Sequence, residues 1–411
     1  MVSGSGNGTN VVENATRFFA AANSSILLQS SADEARAQIT HHSPGTFSNM
    51  FLNLDSNFND GAAGTYMRMR KNSGNATQEI WIDASTSGFF EDTTHTDAVN
   101  NDEEWNHSIV TPESSTSGIG AQMTISAVSN VFSASSGTSV RHATTRSFGQ
   151  TATGYAALSD AVGSTTTEAH SRFDCNTAGT FKNLYVYVSA WTNTSAFTST
   201  VTLRKNGSGS GCPTVAPTGT GVWEDVTNSI AVVANDDACY ETLITGTGTF
   251  LPNITSVEFA STNQKFHSVY GMNVSGDQNA GLTRYAPVGG ALGLVSTSVR
   301  RTEMQIPAIV SNLTCYVSAN SLADGVNLGT SEWNVRKNDA DGSGDVNVSW
   351  GSTGQFEDTT YTDTFTATDY IDLQSSTVEA VTGSITYRHV GVTIENTDLD
   401  PVTFIPRVMF F

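Results

Sequence analysis

One pattern occurs three times along this 411-residue chain, and it leaves few folds open. Arg70-Lys71-Asn72 is followed by Gly88-Phe89-Phe90-Glu91-Asp92, Arg204-Lys205-Asn206 by Gly221-Val222-Trp223-Glu224-Asp225, and Arg336-Lys337-Asn338 by Gly354-Gln355-Phe356-Glu357-Asp358. The Arg positions stand 134 and then 132 residues apart, and the Asp positions 133 and 133. One unit of that length is therefore used three times. A domain of roughly 100–200 residues is the ordinary size, and it hides enough of its own surface to need neither disulfide nor metal.

Within each unit the spacing of apolar residues points to strands. Met67 and Met69, Val201 and Leu203, and Trp333 and Val335 alternate with Arg68 and Arg70, Thr202 and Arg204, and Asn334 and Arg336. Period two is the signature of a half-buried strand. The Asn that ends each Arg-Lys-Asn begins a tight turn, clearest at Asn206-Gly207, because Asn and Gly tolerate positive φ. Other shared landmarks are an aromatic-Ala step (Phe19-Ala20, Tyr155-Ala156, Tyr285-Ala286) and a strand over Phe47 to Leu52, Phe181 to Val186 and Val310 to Cys315. An acidic turn at Asp102, Asp236 and Asp369 completes the set. Charged residues are only 14%, against roughly 25% in an average soluble domain. The Ala, Leu, Glu, Lys and Arg that build long helices are scarce. Regular turn signals between short strands predict an all-β chain of three tandem antiparallel sandwich or barrel domains. The expected division is a flexible N-terminal tail over 1–15, then repeats over 16–140, 141–265 and 266–411. The apolar end of the last repeat, Val402 to Phe411, reads as a core strand or as a strand donated to a neighbour.

The net charge of −20 repels phosphates and argues against nucleic-acid binding. No apolar run reaches the roughly 18–20 residues that span a bilayer, so no membrane insertion is expected. The N-terminus has neither the basic region nor the apolar core of a signal peptide. Cys175, Cys212, Cys239 and Cys315 form no CxxC pair, and spacing permits a Cys212–Cys239 bridge without fixing it.

Candidates for chemistry are few. Asp339-Ala340-Asp341-Gly342-Ser343-Gly344-Asp345 has oxygen ligands at alternate positions, like a calcium loop, but Trp350 stands where a closing acid belongs. It reads better as an acidic hairpin tip. His41-His42, His95 and His107 lie near Asp97 and Asp102-Glu103-Glu104, at spacings that match no metal-ligand motif. No nucleophile elbow, P-loop or HExxH occurs. The chain is expected to be non-enzymatic, with no catalytic, cofactor or metal residues. The repeated Arg is expected to make a charge-assisted link to a carboxylate on a neighbouring strand or unit.

Leu203-Arg204-Lys205-Asn206-Gly207, followed by Gly221 to Ser229 and Asn235-Asp236, resembles a repeated β domain of structural proteins in tailed bacteriophages. The unit length and strand count are similar to the C1q/TNF-type jelly roll, which implies an all-β chain of three tandem antiparallel β-sandwich (jelly-roll-like) domains. The motif likeness covers about 40 residues of each unit in this sequence. It implies a virion component, either a capsid decoration or a tail/fibre protein, assembled in the host cytoplasm. Its partners would be itself, through trimeric assembly, and other virion proteins. The three units would form a pseudo-trimer, or three chains would stack unit on unit. The other expectation is an extracellular surface, filament-forming or adhesion protein that binds host-surface glycans.

Overall fold

The computed structural model describes residues 2–12, 15–20, 34–57, 64–111, 122–135, 138–144, 153–159, 165–193, 197–261, 263 and 265–271. Beyond these it describes 277–286, 288, 290–291, 294, 296, 302–304, 306–323, 329–377, 380 and 382–397. The first unit contains β1 (Val2–Val12), β2 (Ala15–Ala20), β3 (Ile39–His41), β4 (Gly45–Asn57), β5 (Thr65–Lys71), β6 (Gly74–Ile82), β7 (Gly88–Val99), β8 (Glu103–Thr111) and β9 (Gln122–Ala134). The second contains β10 (Thr138–Thr144), β11 (Thr153–Ala156), β12 (Phe173–Cys175), β13 (Gly179–Asn193), β14 (Thr198–Lys205), β15 (Thr214–Val215), β16 (Gly221–Val232), β17 (Asp236–Thr245) and β18 (Gly248–Ser261). The third contains β19 (Lys265–Gly271), β20 (Asp277–Asn279), β21 (Thr283–Ala286), β22 (Gly290–Ala291), β23 (Thr302–Glu303), β24 (Ala308–Asn320), β25 (Thr330–Lys337), β26 (Ala340–Ser349), β27 (Gly354–Phe365), β28 (Tyr370–Ser376) and β29 (Ser384–Asn396).

Each unit is two sheets. In the first, β1-β9-β4-β7 faces β2-β8-β5-β6, with the short β3 added beside β8. Setting β3 aside, the eight remaining strands run 1-8-3-6 and 2-7-4-5, which is the jelly-roll order. The second unit repeats it as β10-β18-β13-β16 and β11-β17-β14-β15, with β12 beside β17. The third has β19-β29-β24-β27 and β21-β28-β25-β26, with β23 beside β28; β22 and β20 extend its first sheet.

The alternation seen in the sequence fills three cores. Met67, Met69, Val201, Leu203, Trp333 and Val335 are all fully buried between their sheets, while their alternating neighbours face outward. Thr202, Asn334 and Arg336 are nonetheless buried too.

Two expectations need correction. Residues 2–12 are not a tail, because Val2–Val12 pairs antiparallel with β9, with an irregularity between Ser5 and Thr9. The sandwich needs a strand at the place that β10 and β19 fill in the other units, and a Gly/Ser/Asn run can follow a bulge there. The aromatic landmark of the first unit is off by one. Phe18 pairs with Ser108, two residues beyond Arg70's partner Asn106, just as Tyr155 and Tyr285 stand two beyond the partners of Arg204 and Arg336. Phe19 therefore takes the core place of Ala156 and Ala286. On the point that spacing left open, all four Cys are free and buried, so Cys212 and Cys239 are not bridged. The apolar segment Val402–Phe411 lies outside the described residues.

The motif's Gly88, Gly221 and Gly354 adopt φ of +109°, +111° and +111°, which only glycine adopts without strain. Nothing lies within 4 Å of a Cβ placed at Gly221, so a substitution there meets no steric obstacle. Gly221→Ala is expected to lower unfolding free energy by about 1–3 kcal/mol through backbone strain alone. Urea titration of the two proteins would check this, with an unchanged midpoint counting against it.

Candidate functional site: the repeat motif and the joints between units

The Lys and Asn of the motif lock a turn. Asn72, Asn206 and Asn338 have φ near +50° and are followed by Ser73, Gly207 and Asp339, also at positive φ. Two such residues in succession make the tight hairpin turn whose twist matches its strands. Each Asn then extends the ladder with its side chain. The backbone N–H groups of Glu104, Asp237 and Tyr370 donate to its Oδ1 at 2.9, 2.7 and 2.8 Å, and its own N–H donates back to their carbonyls. Lys71, Lys205 and Lys337 reach Glu103, Asp236 and Asp369 at 2.7, 2.8 and 2.9 Å. The same three carboxylates accept from the backbone N–H of Asn100, Val233 and Thr366. Partial burial works against ionisation here, but Lys and backbone donors win and hold all three below the usual carboxylate range. Glu103, not Asp102, is thus the acid of the first unit. Asp102 takes the turn position of Asn235, both at positive φ.

The Arg pins the hairpin to a neighbouring turn. Arg70 forks onto Glu34, and Arg204 onto Glu168 with Nε–Oε1 2.8 Å and Nη2–Oε2 3.2 Å. Each Glu opens a short 3-10 turn 36 residues upstream of its Arg. Arg204 also pairs with Glu241 on the adjacent strand at 2.7 Å. Arg336 instead meets Asp341 at 3.2 Å and Asp372 at 3.9 Å. In all three units Nη2 donates to the turn carbonyl three residues on, at Ser73, Gly207 or Asp339. The guanidinium also lies over Phe18, Tyr155 or Tyr285 at 5.4, 5.7 and 5.4 Å. The expected Arg–carboxylate link exists within each unit, and its partner is not the Glu-Asp of the motif. The constant 36-residue offset to Glu34 and Glu168 was the signal available in the sequence.

The Glu and Asp of the motif have separate tasks. Asp92, Asp225 and Asp358 turn inward. Asp225 accepts from the backbone N–H of Thr227 (3.1 Å) and Asn228 (3.0 Å) on its own strand, and of Thr214 (2.8 Å) on the opposite sheet. Asp92 does the same with Thr94, His95 and Glu79, and Asp358 with Thr360 and Asp345. The strand bulges here, and opposite the bulge Asn49, Asn183 and Asn312 take φ of +48°, +55° and +53°. Burial opposes the charge, yet these amides push Asp225 down to about 2.

The Glu turns outward, and in the second and third units it lies near another unit. The short added strands β3 and β12 lie at joints. Between the first and second units, His42 offers Nδ1 to Asp102 at 2.7 Å and Nε2 to Glu224 at 2.9 Å. The imidazole ring thus sits between a carboxylate of its own unit and one of the next. Nearby, the buried Glu258 accepts from the His42 N–H and Ser43 Oγ, both at 3.0 Å, and from Asn183 at 2.8 Å. Tyr185 donates to the Gln38 carbonyl at 2.9 Å, within an apolar contact of Ile39, Tyr185 and Ile254. Between the second and third units, Phe173 stands edge-on to His267 and His389, His170 lies against Tyr316, and Gln355 donates to Asp174. Between the third and first, Phe89 stacks on Tyr370 at 5.5 Å, and β1 lies against β22. The three units therefore close into a ring.

The sequence candidates scatter over this frame. His42 and Asp102 meet, with Glu224 as the third member. His95 caps the Asp92 bulge at 2.9 Å, Asp97 accepts from the N–H of Thr77 and Gln78, and His107 is buried against Asn130. Asp339 is a turn residue and Ala340 to Asp345 begin β26, so this stretch is a hairpin strand rather than a ligand loop. Among the described residues no three His, Cys, Asp or Glu are grouped to hold a metal ion. No family model matches the chain, and no curated protein matches it.

Two outcomes follow from these contacts. Arg204→Met leaves Glu168 and Glu241 without their shared cation and is expected to cost about 2–4 kcal/mol, read as a lower midpoint in urea. Burial lowers His107 and His389 to about 4 from the ordinary 6.5. Both are neutral in the fold, whereas the unfolded chain takes up protons as pH drops below 6.5. Stability is then full above pH 6.5 and declines by up to roughly 3 kcal/mol per histidine between 6.5 and 4. Urea midpoints at pH 7, 5.5 and 4.5 would show this decline, and a flat profile would exclude it.

Proposed function

We propose that the chain is a non-enzymatic structural protein of a virion, a capsid decoration or tail/fibre component. The observation that carries this reading is the ring. Three jelly rolls of one chain close on one another through β3, β12 and the Phe89–Tyr370 stack. Most of the repeated polar residues hold turns, bulges and joints, which is what a rigid spacer or knob requires. The strong negative charge favours solubility and discourages unspecific contact. Within this reading the pseudo-trimer does inside one chain what related jelly rolls do with three.

A second reading, glycan-binding adhesion, has one observation in its favour. Trp81 is 46% exposed yet fixed in place, edge-on to Tyr66 at 4.4 Å and hydrogen-bonded through Nε1 to Asp83 at 2.9 Å. Such a held aromatic face suits stacking on a sugar ring, with the polar end of the indole already satisfied. Electron microscopy of native material separates the readings. The virion reading expects discrete three-lobed knobs attached to particles; continuous filaments or particle-free protein would refute it.

A further inference from the structure

Trp81 points away from the core on β6, and three neighbours fix it there. The indole lies on Gly64, where an added Cβ would fall 2.2 Å from ring carbon Cζ2. Tyr66, its partner across the ladder, stands edge-on. Asp83 accepts from the indole N–H and is itself held in a turn, its carbonyl accepting from Thr86 Oγ1 at 2.6 Å and Asn57 Nδ2 at 3.2 Å. With the residue 46% exposed, what stays open is the other π face. Two residues back on the same side of β6 is Glu79, paired with Arg68 on β5. The Arg68 guanidinium lies over Tyr66 at 4.7 Å, and the Glu79 N–H donates to the motif's Asp92 at 2.9 Å. Same-face neighbours along a strand stand roughly 7 Å apart, which suits one sugar ring on Trp81 with its hydroxyls at the Arg68–Glu79 pair.

The fold does not need this set. In the third unit the places of Tyr66 and Trp81 hold Glu332 and Asn347, and those of Arg68 and Glu79 hold Asn334 and Asp345. In the second, Thr202 pairs with Thr214 in place of Arg68 and Glu79, and Ala216 stands where Trp81 would. The same hairpin is thus built twice more without an exposed ring at this place.

We propose that the outer face of β5 and β6 binds a neutral hexopyranose of a glycan, stacked on Trp81 with neighbouring hydroxyls on Arg68 and Glu79. The C–H bonds on one face of a pyranose are polarised by the sugar oxygens, and they meet the negative face of the indole. A guanidinium beside a carboxylate offers donors and acceptors together to adjacent hydroxyls. An acidic sugar fits worse, because Glu79 and Asp83 set two carboxylates against one guanidinium on a chain of net charge −20. A ring already held loses little freedom when a ligand lands on it, so the contact is not offset by ordering. This inference rests on the held indole that favours the adhesion reading and names its ligand class; a virion knob can carry the same site.

Saturation-transfer NMR on the full chain tests this, with methyl β-D-glucopyranoside and methyl β-D-galactopyranoside as neutral probes and methyl β-D-glucuronide as the acidic one. Transfer should be strongest to the axial hydrogens of one ring face. Trp81→Ala should weaken binding about tenfold. Gly64→Ala keeps the indole but pushes it off its seat, and should weaken binding as well. Trp350→Ala, which removes an equally exposed indole from the third unit, should change nothing. The proposal is overturned by no transfer to either neutral glycoside, by equal affinity for the glucuronide, or by unchanged affinity in Trp81→Ala. Should that variant not fold, Gly64→Ala binding as tightly as wild type overturns it. A wild-type dimer in sedimentation velocity that Trp81→Ala abolishes overturns it too, since the ring would then seat a second copy of the chain. The micrographs give a separate answer: particle-bound protein that takes the glycoside refutes the adhesion reading and keeps the site.

Discussion

The carboxylate of Asp92, Asp225 and Asp358 is the contact on which each unit depends. A jelly roll is two sheets that touch mainly through apolar side chains, and such contacts are not directional. At the edge formed by β16 and β15, the sheets must also be aligned along their strands. Asp225 does this by accepting amides from both: two on its own bulge and one on the opposite sheet. Charge-assisted bonds of this kind are shorter and stronger than neutral ones. The bulge then needs a residue at positive φ facing it, which is why Asn49, Asn183 and Asn312 recur. The glycine that starts the strand, the bulge and the sheet-to-sheet alignment are one device seen from three sides.

Much of this was legible in the sequence, because it is local. Period-two alternation placed Met67, Leu203 and Trp333 in their cores, and Asn206-Gly207 marked the hairpin. The errors have a common cause. A landmark matched by residue type can slip by one place, as Phe19 did for Phe18 and Asp102 for Glu103, since only strand register fixes the face a residue occupies. Val2–Val12 lacks the apolar alternation of a core strand, and its place comes from the partner β9 rather than from its own composition. The joints were not legible at all. His42 and Glu224 are 182 residues apart, and Gln355 and Asp174 are 181 apart, with no periodic signal relating them.

The two acids of the motif show how a repeat can be both kept and diversified. The Asp serves the fold of its own unit, and its partners are equivalent in all three. The Glu looks out of the unit, and its surroundings differ. Glu224 meets the His42 ring, whereas Glu357 lies near Asp174. In the first unit the position two before the Glu is Phe89, which stacks on Tyr370. The positions are the same in each copy, but the chemistry at each joint is its own.

That difference has a physical consequence. Three interchangeable joints would let any unit dock on any other, within one chain or between chains, as tandem repeats tend to do when they misassemble. Discrimination between partners comes from penalties on the wrong pairing as much as from contacts in the right one. Here the wrong pairings are penalised by charge. Placing Glu224 where Glu357 sits would take from His42 one of its two carboxylates, and placing Asp174 against Phe89 would bury a carboxyl without the Gln355 amide. Each joint accepts the unit that follows it and disfavours the others. A ring with this property closes in one order, first to second to third, and the order is written in residues that the fold of a single unit does not need.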